Sequence, residues 1–177
     1  GSTGMAFEAG ASGKNLTEWQ FGMASLNPRW NVSGTYMQVL PSFISTGQDG
    51  NDEKEFLLDY FNELPDLLSM VFLKGYQWPF DVNKIFGGSS VIDLLVYQET
   101  VLKKRRVFLD YRVNPGNLEK DRDLPYASMI PEAKEYLSQA GACFGTPIER
   151  LKHMNEPAIL FYQDHHVDLF KERLEIA

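Results

Sequence analysis

The stretch FEAGASGKNLTEWQFG, residues 7–22, joins two different patterns within one short segment. Its first residues favour a helix that would end at Gly10, because a glycine commonly lies just past a helix end. Residues 16–21 then alternate between apolar and polar side chains, which predicts a strand. Residues 174–177, LEIA, have the pattern of a second strand at the other end of the chain. We therefore expect residues 5–177 to be one domain excised from a longer protein, with residues 1–4 as a cloning remnant.

Composition indicates one domain with a substantial core. The chain has 177 residues, of which 44% are hydrophobic and 13% aromatic. The net charge of -7 argues against a nucleic-acid partner, because phosphate binding requires a basic surface. The basic run KKRR at residues 103–106 favours a solvated helix end, with a binding patch as the alternative.

The number of cysteines and the length of the apolar segments indicate the cellular compartment. Cys143 is the single cysteine, which excludes a disulfide within the chain and favours a reducing compartment. No apolar run approaches the ~20 residues of a membrane span. We therefore expect a cytoplasmic protein without a membrane span.

Periodicity along the chain predicts an α+β fold with a small mixed or antiparallel sheet and several helices. Strands are predicted at residues 16–21, 34–45, 105–113 and 174–177, and a loop at residues 23–31. Helices are predicted from residue 53, capped by Asp52, and at residues 65–73, 90–102, 131–140, 147–154 and 156–165, the last capped by Asn155. Nothing alternates as βαβαβ, so we expect no dinucleotide-binding sheet within this chain.

The sequence gives little indication of a metal site or of a catalytic nucleophile. His165 and His166 are adjacent and point in different directions, while His153 lies twelve residues before His165, so we expect no metal site. Cys143 lies within the small, apolar segment AGACFGTP, which favours a packed thiol over a catalytic nucleophile.

Two features leave alternatives open. The segment FGGSS, residues 86–90, is either a plain helix cap or an anion or substrate site at a helix N-terminus. Aromatic and polar side chains also concentrate in the predicted strands and loops, where they could line a ligand pocket or anchor the core. That set comprises Glu18, Trp19, Gln20, Arg29, Trp30, Ser33, Tyr36, Gln38, Tyr76, Gln77 and Trp78.

Several segments, in order along nearly the whole chain, resemble one flavoprotein family. They are AGA at residues 9–11, TEWQF at 17–21, GTY at 34–36, GQDGNDEKEFLLDY at 47–60, PFDV at 79–82, VFLDYR at 107–112 and LFKERLEIA at 169–177. This order is similar to the capping domain of FAD-dependent fumarate reductases, succinate dehydrogenases and L-aspartate oxidases. The segments TEWQFG, GYQWPFDV and GTPIERL most resemble bacterial flavoproteins of this superfamily.

The chain departs from the family at its catalytic positions. The family's substrate histidine falls at Gly22, its proton-relay glutamate at Tyr36 and its catalytic arginine at Phe80. Gln20, Thr35 and Asp81 match the family pattern, and Arg29 and Lys84 are the nearest candidate cations for a carboxylate substrate.

The resemblance thus implies a capping domain that closes over flavin and substrate in an FAD-dependent oxidoreductase. Its partners would be the FAD domain of the same chain and a small molecule, with a carboxylate as one candidate. The fragment alone would be inactive and would not bind FAD. The residues expected to face the flavin or substrate are Trp19, Gln20, Arg29, Thr35, Tyr36, Trp78, Asp81 and Lys84. The alternative is a self-contained ligand- or protein-binding module without a redox role.

Overall fold

The computed structural model describes residues 2–14, 21–117 and 124–177. It has an α+β fold, as predicted, with helices packed on a five-stranded antiparallel sheet. The helices are α1 (Ser2–Glu8), α2 (Thr35–Gln38), α3 (Leu64–Lys74), α4 (Ser90–Tyr97), α5 (Pro131–Gln139) and α6 (Pro147–Asp164). The strands are β1 (Ala24–Leu26), β2 (Arg29–Asn31), β3 (Ser42–Thr46), β4 (Arg106–Asp110) and β5 (Leu174–Ile176). A π-helical turn, Gln98–Leu102, continues α4.

The sheet has the strand order β2-β1-β5-β4-β3. The register pairs Val107 of β4 with Ile176 of β5, and Leu109 with Leu174. All four side chains are buried in the hydrophobic core, since alternate residues of a strand share one face. Arg106 and Glu175 occupy the opposite face and form an ion pair at 2.7 Å.

Helices α2 to α6 bury side chains in the core, whereas the described side chains of α1 are exposed. The short helix α2 contacts α3 and α6, and α3 also contacts α4 and α5. Proline lies in the first turn of α3, α5 and α6, where its missing N–H needs no helical partner. Leu68, Val71 and Phe72 place the buried face of α3 in the core.

Most predicted helices and two predicted strands are confirmed. The prolines and glycines mark α3, α5 and the start of α6 as expected, and β4 and β5 lie within the predicted ranges. The break predicted at Asn155 is also present, because this residue has φ -156° and ψ 65° inside α6. The predicted strand at residues 16–21 lies outside the described residues except for Phe21.

The prediction of a loop at residues 23–31 is wrong, because β1 and β2 form a hairpin there. The buried hydroxyl of Ser25 stabilises it by accepting a hydrogen bond from the Trp30 N–H at 3.1 Å. Strands of three residues are too short to show a clear alternation in the sequence.

Two further predictions of secondary structure are wrong, and the backbone conformation shows why. The strand predicted at residues 34–45 is interrupted, because α2 and then Leu40, with φ 58°, precede β3. The helix predicted from residue 53 is absent, because Asp52 has φ 55° and Lys54 pairs with Ser45 as an isolated β-bridge. A short 3-10 helix, Phe56–Asp59, follows that bridge.

Within the three described ranges, no helix combines the length and apolar character required to cross a membrane.

Candidate functional site

The loop GYQWPFD, residues 75–81, packs against residues 21 and 22. The Phe80 N–H donates a hydrogen bond to the Phe21 carbonyl at 2.8 Å, and the two rings stack with centroids 4.7 Å apart. The indole of Trp78 lies against Gly22, where a Cβ atom would come within 2.1 Å of Trp78 Nε1. Only glycine at position 22 therefore allows this contact. Phe21 and Trp78 both remain partly exposed.

The same loop is fastened to the beginning of α4. The Asp81 N–H donates to Ser90 Oγ at 3.0 Å, and Gln77 Oε1 accepts from the Ser89 N–H at 2.9 Å. The Ser89 amide is therefore already bonded within the protein and is not free to hold an anion. This occupancy favours a structural role for FGGSS, although the Ser89 side chain makes no capping hydrogen bond.

A buried ion pair lies beneath the loop. Lys74 Nζ bonds Asp93 Oδ2, and each side chain is only 1% exposed. Lys74 also donates to the Gln77 carbonyl at 3.2 Å, which ties the pair to the loop. Burial lowers the pKa of Lys74 and raises the pKa of Asp93, while the attraction between the partners opposes both shifts.

Sequence reasoning missed this pair, although the sequence contained a signal for it. Asp93 lies in SVIDLLVY, the sequence of α4, and is its single charged residue. A charged residue in such an apolar helix is expected to have a partner, because a buried unpaired charge is very costly.

A cavity of about 140 Å³ opens beside Asp93. Its lining consists of Phe21, Gly22, Met23, Asp93, Val96, Tyr97, Thr100, Val101 and Ala177. Asp93 Oδ1 is buried and has no hydrogen-bond partner among the described residues. The Thr100 hydroxyl is satisfied, because it donates to the Val96 carbonyl at 2.8 Å.

Three of the predicted site residues lie on the loop that packs on Phe21 or just after it. Asp81 follows Trp78 and accepts a hydrogen bond from the Asn83 N–H at 2.9 Å. That bond, helped by Lys84, lowers the pKa of the Asp81 carboxyl. Lys84 Nζ lies 3.6 Å from Asp81 Oδ2, so its charge is partly offset before any ligand arrives.

The other described candidates lie on different elements. Thr35 Oγ1 accepts a hydrogen bond from Asn155 Nδ2 at 3.4 Å, and Tyr36 is only 8% exposed. The Tyr36 ring packs edge-on against Tyr162 with centroids 5.8 Å apart, and burial raises the pKa of its hydroxyl. Arg29 is exposed on the edge strand β2.

A backbone hydrogen bond links α2 to the loop, since the Gly34 N–H donates to the Gly75 carbonyl at 3.0 Å. The candidates Trp19 and Gln20 lie outside the described residues.

The described histidines bond main-chain carbonyls or lie on the surface. His153 Nε2 is 2.9 Å from the Ala140 carbonyl, and His165 Nδ1 is 2.7 Å from the Phe161 carbonyl. In the part of the chain that the structure describes, no group of three or more histidine, cysteine or carboxylate side chains is arranged to hold a metal ion. Cys143 is a free thiol and is partly buried.

Comparisons of this chain with protein-family models, with curated proteins and with solved structures found no match.

Proposed function

We propose that this chain is the capping domain of a cytoplasmic, bacterial FAD-dependent oxidoreductase similar to the fumarate reductase and succinate dehydrogenase flavoproteins. One observation carries the proposal. Gly22 and Phe80 are the positions at which the resemblance expects a substrate histidine and a catalytic arginine. They lie on the two segments that the Phe80–Phe21 hydrogen bond and the Trp78–Gly22 contact hold together. Residues 21–22 and 78–80 are far apart in sequence but in contact, as a site shared by both segments would require.

The path of the sheet supports the same proposal. Ala24 and Ala177 exchange two backbone hydrogen bonds of 3.0 Å, so the strand that follows residues 21–23 runs beside the last strand. Ala24, three residues after the segment that resembles the family's entry into the cap, therefore pairs with the end of the segment that resembles its return strand. A cap inserted into a flavin domain requires such neighbouring connections, because both must reach the same domain.

The described residues suit a cap better than a complete flavin-binding protein. The strands that the structure describes pair antiparallel and form no βαβ unit that could hold a dinucleotide, so FAD would be bound by another domain. Bound flavin would supply hydride or electron transfer. The part of this chain would be to cover the site with Phe21 and Trp78, whose partly exposed rings offer an apolar surface to a planar group.

The substrate need not be a dicarboxylate. Gly22 and Phe80 supply neither the histidine nor the arginine that would bind one, and Lys84 is already close to Asp81. Arg29 lies on the edge strand β2, which β1 separates from β5. The charges available near Trp78 therefore favour a substrate that carries less negative charge than fumarate or succinate.

The first test is a visible absorption spectrum of the purified full-length parent beside residues 5–177. We expect flavin bands in the parent and none in the isolated domain. A folded parent without flavin would refute the proposal and would favour a binding module without a redox role. The cavity beside Asp93 is the observation that supports that second function, because described residues of this domain alone line it.

The position of Trp78 can be tested in the same parent protein. Trp78→Ala should shift the flavin absorption maximum or change flavin fluorescence, because aromatic side chains near a flavin alter both. Phe86→Ala is the matched control, since Phe86 follows the loop in sequence and is 93% exposed. Identical flavin spectra for wild type and Trp78→Ala would remove Trp78 from the flavin site.

A further inference from the structure

We propose that the cavity beside Asp93 binds a small, uncharged molecule that has an apolar body the size of one ring and a hydroxyl group that donates to the Asp93 carboxylate. This site belongs to the domain itself and does not depend on the proposed flavin chemistry. It lies between residues 21–23 and α4 with its π-helical extension.

The walls fit an apolar body. Phe21, Met23, Val96 and Val101 contribute apolar side chains to the lining. The cavity volume is about 140 Å³. An engineered apolar cavity of about 150 Å³ in another protein holds benzene, so a single ring is the appropriate size.

One polar group remains to be satisfied. Asp93 Oδ2 is held by Lys74, whereas Asp93 Oδ1 has no hydrogen-bond partner among the described residues. Buried acceptors in proteins are nearly always paired, and leaving one unpaired destabilises the folded state. A donor on a molecule in the cavity would satisfy it. The Thr100 hydroxyl does not compete, because it already donates to Val96.

The charges around the cavity determine the ligand's charge. An anion would face the Asp93 carboxylate, and Lys74 cannot compensate because it is already paired. A cation would lose its hydration beside a pair whose charges already cancel, so it gains little. An uncharged hydroxyl donor avoids both penalties, and phenol is the simplest molecule of this kind.

The test is a titration of the ¹⁵N-labelled domain, residues 5–177, with phenol, toluene and benzoate, followed by amide chemical shifts. We expect saturable shifts for Gly22, Met23, Val96 and Val101 with phenol. Toluene should bind roughly thirtyfold more weakly, the factor that corresponds to one net hydrogen bond to a charged group. Benzoate should produce no saturable shifts at these residues. Equal affinities for phenol and toluene, or no saturation with phenol, would overturn the proposal.

A pair of variants locates the site without touching the buried ion pair. Val101→Trp should fill the cavity and abolish the phenol shifts, whereas Leu102→Trp should leave them unchanged. Both positions are exposed on the same π-helical turn, at 40% and 66%, but only Val101 lines the cavity. A dispersed spectrum establishes that each variant is folded. Unchanged phenol binding in Val101→Trp would show that phenol binds elsewhere.

Discussion

Asp110, at the end of β4, is held between two arginine side chains. It accepts hydrogen bonds from Arg112 at 2.9 and 2.7 Å and from Arg173 at 2.8 Å, while its own side chain is 1% exposed. Burial raises the pKa of the Asp110 carboxyl, but the hydrogen bonds from both arginines together outweigh that effect and hold the pKa below its ordinary value. The ionised carboxylate therefore stabilises the fold.

Asp110→Asn should reduce the free energy of unfolding at pH 7 by about 2 kcal/mol, the range of a hydrogen bond to a charged group. Because the folded-state pKa of Asp110 is lowered, its contribution is present above the ordinary value of 3.8 and is lost as pH falls through the folded-state pKa. The difference between wild type and variant should therefore shrink below pH 3.8. Urea unfolding at neutral and acidic pH measures it. Asp164→Asn, at an exposed residue on α6, serves as control, and a difference independent of pH would contradict the prediction.

Single residues of the candidate site were only partly predictable. Trp78 is a candidate because tryptophan in a loop commonly borders a pocket; it contacts Gly22 but does not line the cavity beside Asp93. The Lys74–Asp93 pair joins two helices, and one sequence cannot show which of its 17 basic and 24 acidic residues face each other. Tyr36 was predicted from its place in a family-like segment, and such a resemblance does not indicate that the ring packs on Tyr162.

At the scale of elements, α6 begins with a capping box that the sequence TPIE at residues 146–149 predicts. The Thr146 side chain accepts from the Glu149 N–H, and the Thr146 N–H donates to Glu149 Oε2 at 2.9 Å. Thr146→Ala should therefore lower the free energy of unfolding by about 1 kcal/mol. Chemical denaturation measures the change. Ser138→Ala, at an exposed position on α5, should change stability much less, and equal effects of the two substitutions would contradict the assignment.

Helices were more predictable than strands because their signals are local. Proline in the first turn and glycine after the last turn depend on a few neighbouring residues, and they marked α3 and α5 correctly. The hairpin of β1 and β2 was missed because each strand has three residues. The absent helix after Asp52 was predicted from the capping preference of aspartate, but there the chain adopts φ 55° and pairs with β3 instead.

For the whole molecule, the α+β class could be predicted but the strand order could not. Patterns of apolar residues show which segments form strands, whereas pairing depends on contacts between distant segments. β5 is the last strand in the sequence, yet it lies at the centre of the sheet between β1 and β4. The alternation of Leu174 and Ile176 with Glu175 predicts a strand with one buried face, but it does not predict that this strand is central in the sheet.

The central position of β5 predicts that the sheet depends on a few residues. Deleting residues 174–177 would separate the β1–β2 hairpin from β4 and expose the core residues Val107 and Leu109. We expect this variant to lose its cooperative thermal transition. Deleting residues 1–10 should change Tm by less than about 2 °C, because residues 3–10 are exposed and contribute no side chain to the core. Circular dichroism melting curves compare the two deletions directly. A cooperative transition that survived loss of residues 174–177 would mean that β3 and β4, with the helices, hold the core without the central strand.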